Sequence, residues 1–212
     1  MTCKICNSQT TRWNDAPSHQ FYHHCQNCEA LFLDEQFHLT ISDEKKCYDN
    51  HRNSLENEGY VQMFESFLDF FWEAIKPNSL ALEFGSGPTP VLTVLLEKRG
   101  VRVHGYDKVY QPELTYQNHC YDFITSTEVF EHLSDPKAVL LHVQEYLKPK
   151  GIVALMTLFH TNDEQQFVQW WYKRDKTHIT FFTLKTITVL ADTCGFDVIK
   201  SDGKRIAVLQ KR

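Results

Sequence analysis

Two Cys-x-x-Cys pairs at the N-terminus constrain this chain more tightly than any other feature. Cys3 and Cys6 frame CKIC, Cys25 and Cys28 frame CQNC, and eighteen residues separate the pairs. A C-x2-C turn aims two thiolates at one point, and two such turns complete a tetrahedron around a zinc ion. The intervening NSQTTRWNDAPSHQFYHH is too polar to fold around an apolar centre of its own. Metal binding, worth about 10–16 kcal/mol in small zinc peptides, is what would order it. Four thiolates fill the site, so the expected zinc is structural, and His19, His23 and His24 are expected at the surface. Reduced, metal-free cysteines or a redox pair are the alternative. Cys47, Cys120 and Cys194 have no partner at ligand spacing and read as core or incidental thiols.

EALFLDE, after Cys28, reads as the last strand of a small ribbon. The polar HLTISDEKKCYDNHRNS then marks a boundary near residues 40–50, giving a zinc ribbon over 1–45 and a second domain over 46–212. The opening MTCKICNSQT lacks the apolar centre of a secretion signal, and no apolar run reaches about 20 residues. The expectation is a cytoplasmic chain with no membrane partner and mostly reduced cysteines. A net charge of −5 does not suit a general nucleic-acid or membrane-surface binder, although it leaves room for a local basic patch.

Beyond the ribbon, strand and helix patterns alternate. Apolar residues at Tyr60, Met63, Phe64, Phe67, Leu68, Phe71 and Ile75 keep helical spacing until Pro77 and Asn78. SLALEF, VRVHGYD, YDFITS and GIVALMTLF read as strands, and VLTVLLEKR, PKAVLLHVQEYL, DEQQFVQWWYKR and LKTITVLADTCG as helices. FDVIKSDGKRIAVLQKR reads as a closing hairpin. Such alternation predicts an α/β layered fold with a mostly parallel sheet.

In such sheets ligands sit at the carboxyl ends of the strands, beside the first strand–loop–helix turn. LEFGSGPTP occupies that turn, with Gly85, Ser86 and Gly87 in the loop. A dinucleotide fingerprint needs a third glycine where Pro90 stands, and Pro88 and Pro90 remove two N–H donors that a pyrophosphate requires. Gly-Lys-Ser/Thr of a P-loop is missing too. Glu83 aims a carboxylate at the same crevice, which suits an ammonium group, and Asp107 at the end of the next strand suits ribose hydroxyls. Ribose plus ammonium without phosphate describes S-adenosylmethionine (SAM).

LEFGSGPTP, VHGYD, YDFITSTEVFEHLSDP and LKPKGIVALMT, in that order, resemble the class I SAM-dependent methyltransferases over roughly residues 55–212. The resemblance implies a Rossmann-like sheet of seven strands, the last antiparallel, preceded here by the ribbon. It implies that Glu83, Gly85, Ser86 and Gly87 line the methionine end of the cofactor, that Asp107 holds the ribose, and that Ser126, Thr127 and Glu128 lie near the transferred methyl. One departure stands out: thirteen residues separate Asp107 from Tyr121, too few for the usual helix and third strand. One short element, ELTYQ, fits, and Tyr106 and Tyr121 are the candidate adenine neighbours.

TEVFEHL is the candidate site of chemistry. If helical, Glu128, Glu131 and His132 share one face and could hold a divalent cation or act as base and orienter, with His178 of RDKTHITFF contributing from a later loop. SAM enzymes with an ExxEH motif, among them the small-RNA 3′-end 2′-O-methyltransferases, are similar here and use a divalent metal. A structural or substrate-shaping role is the other reading. The Asn/Asp-Pro-Pro-Tyr/Phe signature of many exocyclic-amine methyltransferases is absent, since Ser126-Thr127-Glu128-Val129 stands there. Trp170, Trp171, Tyr172, Lys173, Arg174 and Lys176 form an aromatic, basic stretch able to stack a base or line a small pocket. The expected activity is methyl transfer to an oxygen or nitrogen of a small molecule or RNA. The alternatives are a metal-assisted RNA 2′-O-methyltransferase and a non-catalytic SAM- or partner-binding module. The sequence leaves the oligomeric state open.

Overall fold

The computed structural model describes residues 1–49 and 54–212. Asn50 to Asn53, part of the polar stretch read as a boundary, lie outside the described residues.

The N-terminal strands β1 (Thr10–Asp15), β2 (Gln20–Cys25) and β3 (Leu31–Leu33) form an antiparallel meander. Its sheet takes a fourth strand from far along the chain: β8 (Thr180–Phe181) pairs with β3, matching Leu31 to Phe181 and Phe32 to Thr180. Within the polar stretch read as a boundary lies helix α1 (Ile41–Tyr48), capped by Thr40, whose hydroxyl accepts from the Asp43 amide.

Helix α2 (Glu58–Phe71) buries Phe64, Phe67, Leu68 and Phe71, one stripe at three- and four-residue spacing. Then follow β4 (Leu80–Phe84), α3 (Val91–Lys98), β5 (Arg102–Tyr106), β6 (Tyr121–Thr127), α4 (Pro136–Glu145), β7 (Leu147–Met156), α5 (Glu164–Gln169), α6 (Leu184–Thr193), β9 (Phe196–Ser201) and β10 (Ile206–Lys211). Asp135 caps α4 ahead of Pro136, and Thr183 and Thr186 form a capping box on α6. The helix expected over DEQQFVQWWYKR is shorter: α5 stops at Gln169 and a 3-10 turn covers Tyr172–Arg174.

Six strands form the main sheet in the order β5-β4-β6-β7-β10-β9. The first four run parallel, and β10 is antiparallel to both neighbours, closing the hairpin. The resemblance implied seven strands. Among the described residues the strand that would follow β5 is replaced by a 3-10 turn, Leu114–Asn118, because thirteen residues cannot cross the sheet and return. Alternate strand residues feed opposite layers. Ala81, Phe123 and Ala154 pack under α2 and α3, while Leu82, Ile124 and Val153 share a core with α4, α6 and the ribbon cysteines Cys3, Cys25 and Cys28. Among the described residues no helix is long and apolar enough to cross a membrane.

Candidate functional site

A cavity of about 760 Å³ opens at the carboxyl ends of β4, β5 and β6, within the usual range for small-molecule sites. One wall is the glycine loop. The amides of Gly85 and Ser86 both donate to the Tyr106 carbonyl, at 2.7 and 3.0 Å, which folds the loop over the end of β5. Gly85 has φ +88°, and a Cβ there would lie 2.2 Å from Val129 Cγ2, so position 85 needs glycine both for backbone shape and for space. Asp107 organises the same wall: one carboxylate oxygen accepts from Gly87 N at 2.9 Å, the other from Val109 N and Tyr110 N at 2.8 and 3.0 Å.

Glu83 is buried beneath this loop and accepts a hydrogen bond from the Thr93 hydroxyl. Burial pushes its carboxyl up to about 7, because ionisation there loses hydration that one hydroxyl only partly replaces. The Ser86 and Ser126 hydroxyls are buried without a hydrogen-bond partner. Thr127 is buried on the cavity wall. The orphaned Ser86 hydroxyl, the glycine loop and the buried Glu83 around one cavity fit a polar cofactor with a cationic end, while Ser126 is buried behind the wall and does not line it. Tyr106 lines the cavity. Tyr121 does not: it is buried, its hydroxyl donating to the Tyr116 carbonyl at 3.1 Å and lying 2.9 Å from His104 Nδ1.

The opposite wall holds TEVFEHL, which is not an α-helix. Glu128 sits at φ +52° and a 3-10 turn covers Phe130–His132. The turn still brings Glu128, Glu131 and His132 together, and His178 joins them from the segment before β8. One ligating atom each from Glu131, His132 and His178 lies within 4.8 Å of the others. His132 Nδ1 meets the Thr177 carbonyl at 3.0 Å and His178 Nδ1 the Tyr172 carbonyl at 2.8 Å. A carbonyl only accepts, so both rings carry the proton on Nδ1, leaving Nε2 as the ligating nitrogen. Glu131 is fully buried and its Oε2 has no hydrogen-bond partner.

Tyr172, read from sequence as a stacking residue, turns inward. Its hydroxyl contacts Glu128 Oε2 at 2.9 Å and also Glu131 Oε1. One hydroxyl proton serves only one carboxylate, so the second contact requires a protonated acid. Glu128 supplies it: burial, reinforced by the neighbouring Glu131 charge, pushes its carboxyl up to about 8. Burial raises Glu131 as well and lowers His132, keeping that imidazole neutral. Trp171 alone of the aromatic run is well exposed, at the cavity mouth. Tyr48 of α1 packs edge-on against His132 with ring centroids 5.4 Å apart. No sequence motif flags Tyr48 or Thr93, although Thr93 lies ten residues after Glu83 on the next helix.

The four cysteines converge at the far side of β3. Their sulfurs lie within 4.8 Å of one another, with Cys3–Cys28 at 3.5 Å and Cys6–Cys25 at 3.4 Å. A zinc tetrahedron with bonds of about 2.3 Å has edges of about 3.8 Å, so the set fits one ion. Ile5 N and Cys28 N donate to Cys3 Sγ and Cys25 Sγ, the backbone support that thiolate ligands need. Hydrogen bonding from Cys28 pulls Cys3 down to about 5, and the same bond raises Cys28. His24, expected at the surface, is buried: its ring stacks on Trp13 at 4.2 Å and its Nε2 meets Asn162 Oδ1 at 2.7 Å.

Residues 56–201 match the family described as the methyltransferase domain. The chain belongs to that family. It is a SAM-dependent methyltransferase. Solved methyltransferases share its fold. A possible histamine N-methyltransferase from Thermotoga maritima aligns with a TM-score of 0.55 at 16% identity, covering 78% of this chain and 98% of that one. A putative sarcosine dimethylglycine methyltransferase from Galdieria sulphuraria gives 0.53 at 16%, covering 82% and 92%. A magnesium protoporphyrin IX methyltransferase from Synechocystis, with SAH bound, gives 0.51 at 17%, covering 81% and 94%. No curated protein matches the chain in sequence.

Proposed function

We propose that this methyltransferase transfers the methyl group to an oxygen, or less favourably a nitrogen, of a small-molecule acceptor, with a divalent cation held by Glu131, His132 and His178. The observation that carries the metal is the orphaned Glu131 Oε2 beside two imidazoles of matching tautomer. Two imidazoles and a carboxylate suit a first-row divalent ion. Such an ion, when bound, lowers the pKa of a hydroxyl it contacts.

SAM supplies an already activated methyl, so the chain has to bind, orient and manage one proton. Gly85, Ser86 and Gly87 would receive its methionine end, with the Glu83 carboxylate toward the ammonium and the Asp107 loop beside the ribose. Ser126 and Thr127 would border the methyl. Glu128 would orient the acceptor and, once ionised, take its proton, while Tyr172 fixes the distance between the two carboxylates. The four cysteines would hold a structural zinc within a ribbon over 1–45, ahead of a methyl-transfer domain over 46–212.

Charge favours a small molecule over RNA. Among the described lining residues, Glu44, Asp107, Asp135 and Asp175 face one lysine, Lys108, even with Glu128 protonated and Glu83 only partly ionised. Phosphates would meet a repulsive field there. The metal-assisted RNA 2′-O-methyltransferase remains the second reading because it shares the Glu131, His132 and His178 cluster.

The test incubates the protein with methyl-labelled SAM and, separately, a small-metabolite pool and an RNA pool. Each is run with and without a chelator mild enough to leave the ribbon zinc in place. Label entering small molecules only, and lost on chelation, is the expected result. Label in RNA would move the assignment to the second reading, and chelator-insensitive labelling would remove the cation.

A further inference from the structure

The function above leaves the ribbon without a task beyond its own folding. The structure gives it one. The segment carrying Tyr172 and His178 is held from the ribbon side by three independent attachments.

The first is the strand pair. Leu33 N of β3 donates to the Ile179 carbonyl at 2.8 Å, and Ile179 N donates to the Glu131 carbonyl at 2.8 Å. A single residue, Ile179, thus bridges the ribbon sheet and the turn that carries Glu131 and His132. Thr180 adds a side-chain bond to the Leu133 carbonyl at 2.6 Å. The second attachment is packing: Tyr22, Leu31 and Leu33 of the ribbon share one buried cluster with Tyr172, Ile179 and Phe181. The third is the buried ion pair between Asp15 of β1 and Lys173, the residue after Tyr172. The second cysteine knuckle is fastened from behind as well. Thr186 donates to the Cys28 carbonyl at 2.8 Å, and His160 Nε2 meets the Glu29 carbonyl at 3.0 Å.

The cofactor wall is built differently. Its loop hangs on Tyr106 and Asp107, at the end of the edge strand β5. The two halves touch where Gly85 packs on Val129, but the hydrogen bonds that hold each come from different elements.

We infer that the four-cysteine ribbon is a positioning element of the acceptor half of the site, fixing Tyr172, His178 and the Glu131 turn through the β3–β8 strand pair. This rests on the reading of Glu131, His132 and His178 as the acceptor-side cation cluster. Occupancy of the cysteine site then governs whether that cluster is assembled, while SAM binding proceeds without it.

The test uses the full chain, with the cysteine-bound metal withdrawn by a zinc-selective chelator and then restored, and with Mn2+ as the probe of the cluster. Amide exchange at Leu33 and Ile179 should accelerate by about 100-fold or more in the stripped protein, while Gly85 and Ser86 change by less than about 3-fold. Mn2+ affinity, read by electron paramagnetic resonance, should fall about 10–100-fold, the usual range for losing support around ligands, while calorimetric SAM affinity stays within about 3-fold. Unchanged exchange at Ile179 would overturn the clamp. Accelerated exchange with undiminished Mn2+ affinity would overturn the positioning role, whereas no Mn2+ binding in the intact protein would instead overturn the cluster on which it rests. Should stripping also expose Gly85, the Thr180→Val variant decides. It keeps the strand's shape and deletes only the bond to Leu133. A drop in Mn2+ affinity of about 3-fold or more at constant SAM affinity supports positioning, and no drop refutes it.

Discussion

Replacing Glu83 by glutamine should make the free protein more stable and the cofactor complex weaker. Glu83 is buried, and its carboxyl is pushed up to about 7 from an ordinary 4.5. Below pH 4.5 both the folded and unfolded chains carry the proton, and the group contributes nothing to stability. Between 4.5 and 7 the unfolded chain ionises first, so stability drains away across that window and stays lost above it. At about 1.4 kcal/mol per pH unit, the displacement from 4.5 to about 7 is worth about 3 kcal/mol. Glutamine stays neutral and keeps an oxygen for the Thr93 hydroxyl. Urea unfolding should therefore show Glu83→Gln more stable than wild type by up to about 3 kcal/mol at pH 8.5 and equal to it at pH 4. SAM affinity at pH 8.5 should fall about 10–100-fold, the worth of one charge-assisted hydrogen bond to the ammonium. Wild-type SAM binding should also strengthen as pH rises through 7, with proton release visible in buffers of different ionisation enthalpy. A variant less stable than wild type at pH 8.5, or one that binds SAM equally well, would refute the reasoning.

Asp107→Ala removes the acceptor of three loop amides and should weaken SAM by about 30-fold or more in calorimetry, the cost of about 2 kcal/mol for a charged hydrogen-bonding centre. Gly85→Ala should cost about 2–4 kcal/mol from overpacking against Val129 and a left-handed backbone, and Val129→Ala should recover only the steric part, measured as a double-mutant cycle. Glu131→Gln combined with His132→Ala should abolish Mn2+ binding in paramagnetic resonance while SAM affinity stays near wild type. Purified protein should contain about one zinc per chain by elemental analysis, and Cys3→Ser should lose it together with about 2 kcal/mol or more of stability.

What could be read from the sequence was local. The cysteine set was legible because each C-x2-C turn defines half a tetrahedron by itself, and the glycine loop because two prolines in it visibly remove donors. The shortened sheet followed from counting the residues between Asp107 and Tyr121. The β3–β8 pair was not legible: β8 is two residues long and its partner lies at the other end of the chain. Nor was the inward turn of Tyr172, since α5 ends early and breaks the helical phase that placed it beside Trp171. His24 looked like a surface residue because its cover, Trp13 and Asn162, comes from separate elements. Glu128 and Glu131 meet through a positive-φ residue and a 3-10 turn, a different geometry from the helix face that their spacing suggests.

Among the described residues, β5 is the outermost strand, and beyond the tight loop after it, tied back by reciprocal bonds between Asp107 and Gln111, comes only the 3-10 turn Leu114–Asn118 before β6. A methyltransferase with a further strand encloses the purine of its cofactor from outside. Among the described residues this one has only the short 3-10 turn Leu114–Asn118 there, and so less backbone to collide with an enlarged base. SAM analogues bearing a bulky N6 substituent should be accepted without any redesign of the pocket, which would let a tagged alkyl donor be matched to this enzyme in a mixture and its unknown acceptor be fished out by the label it receives.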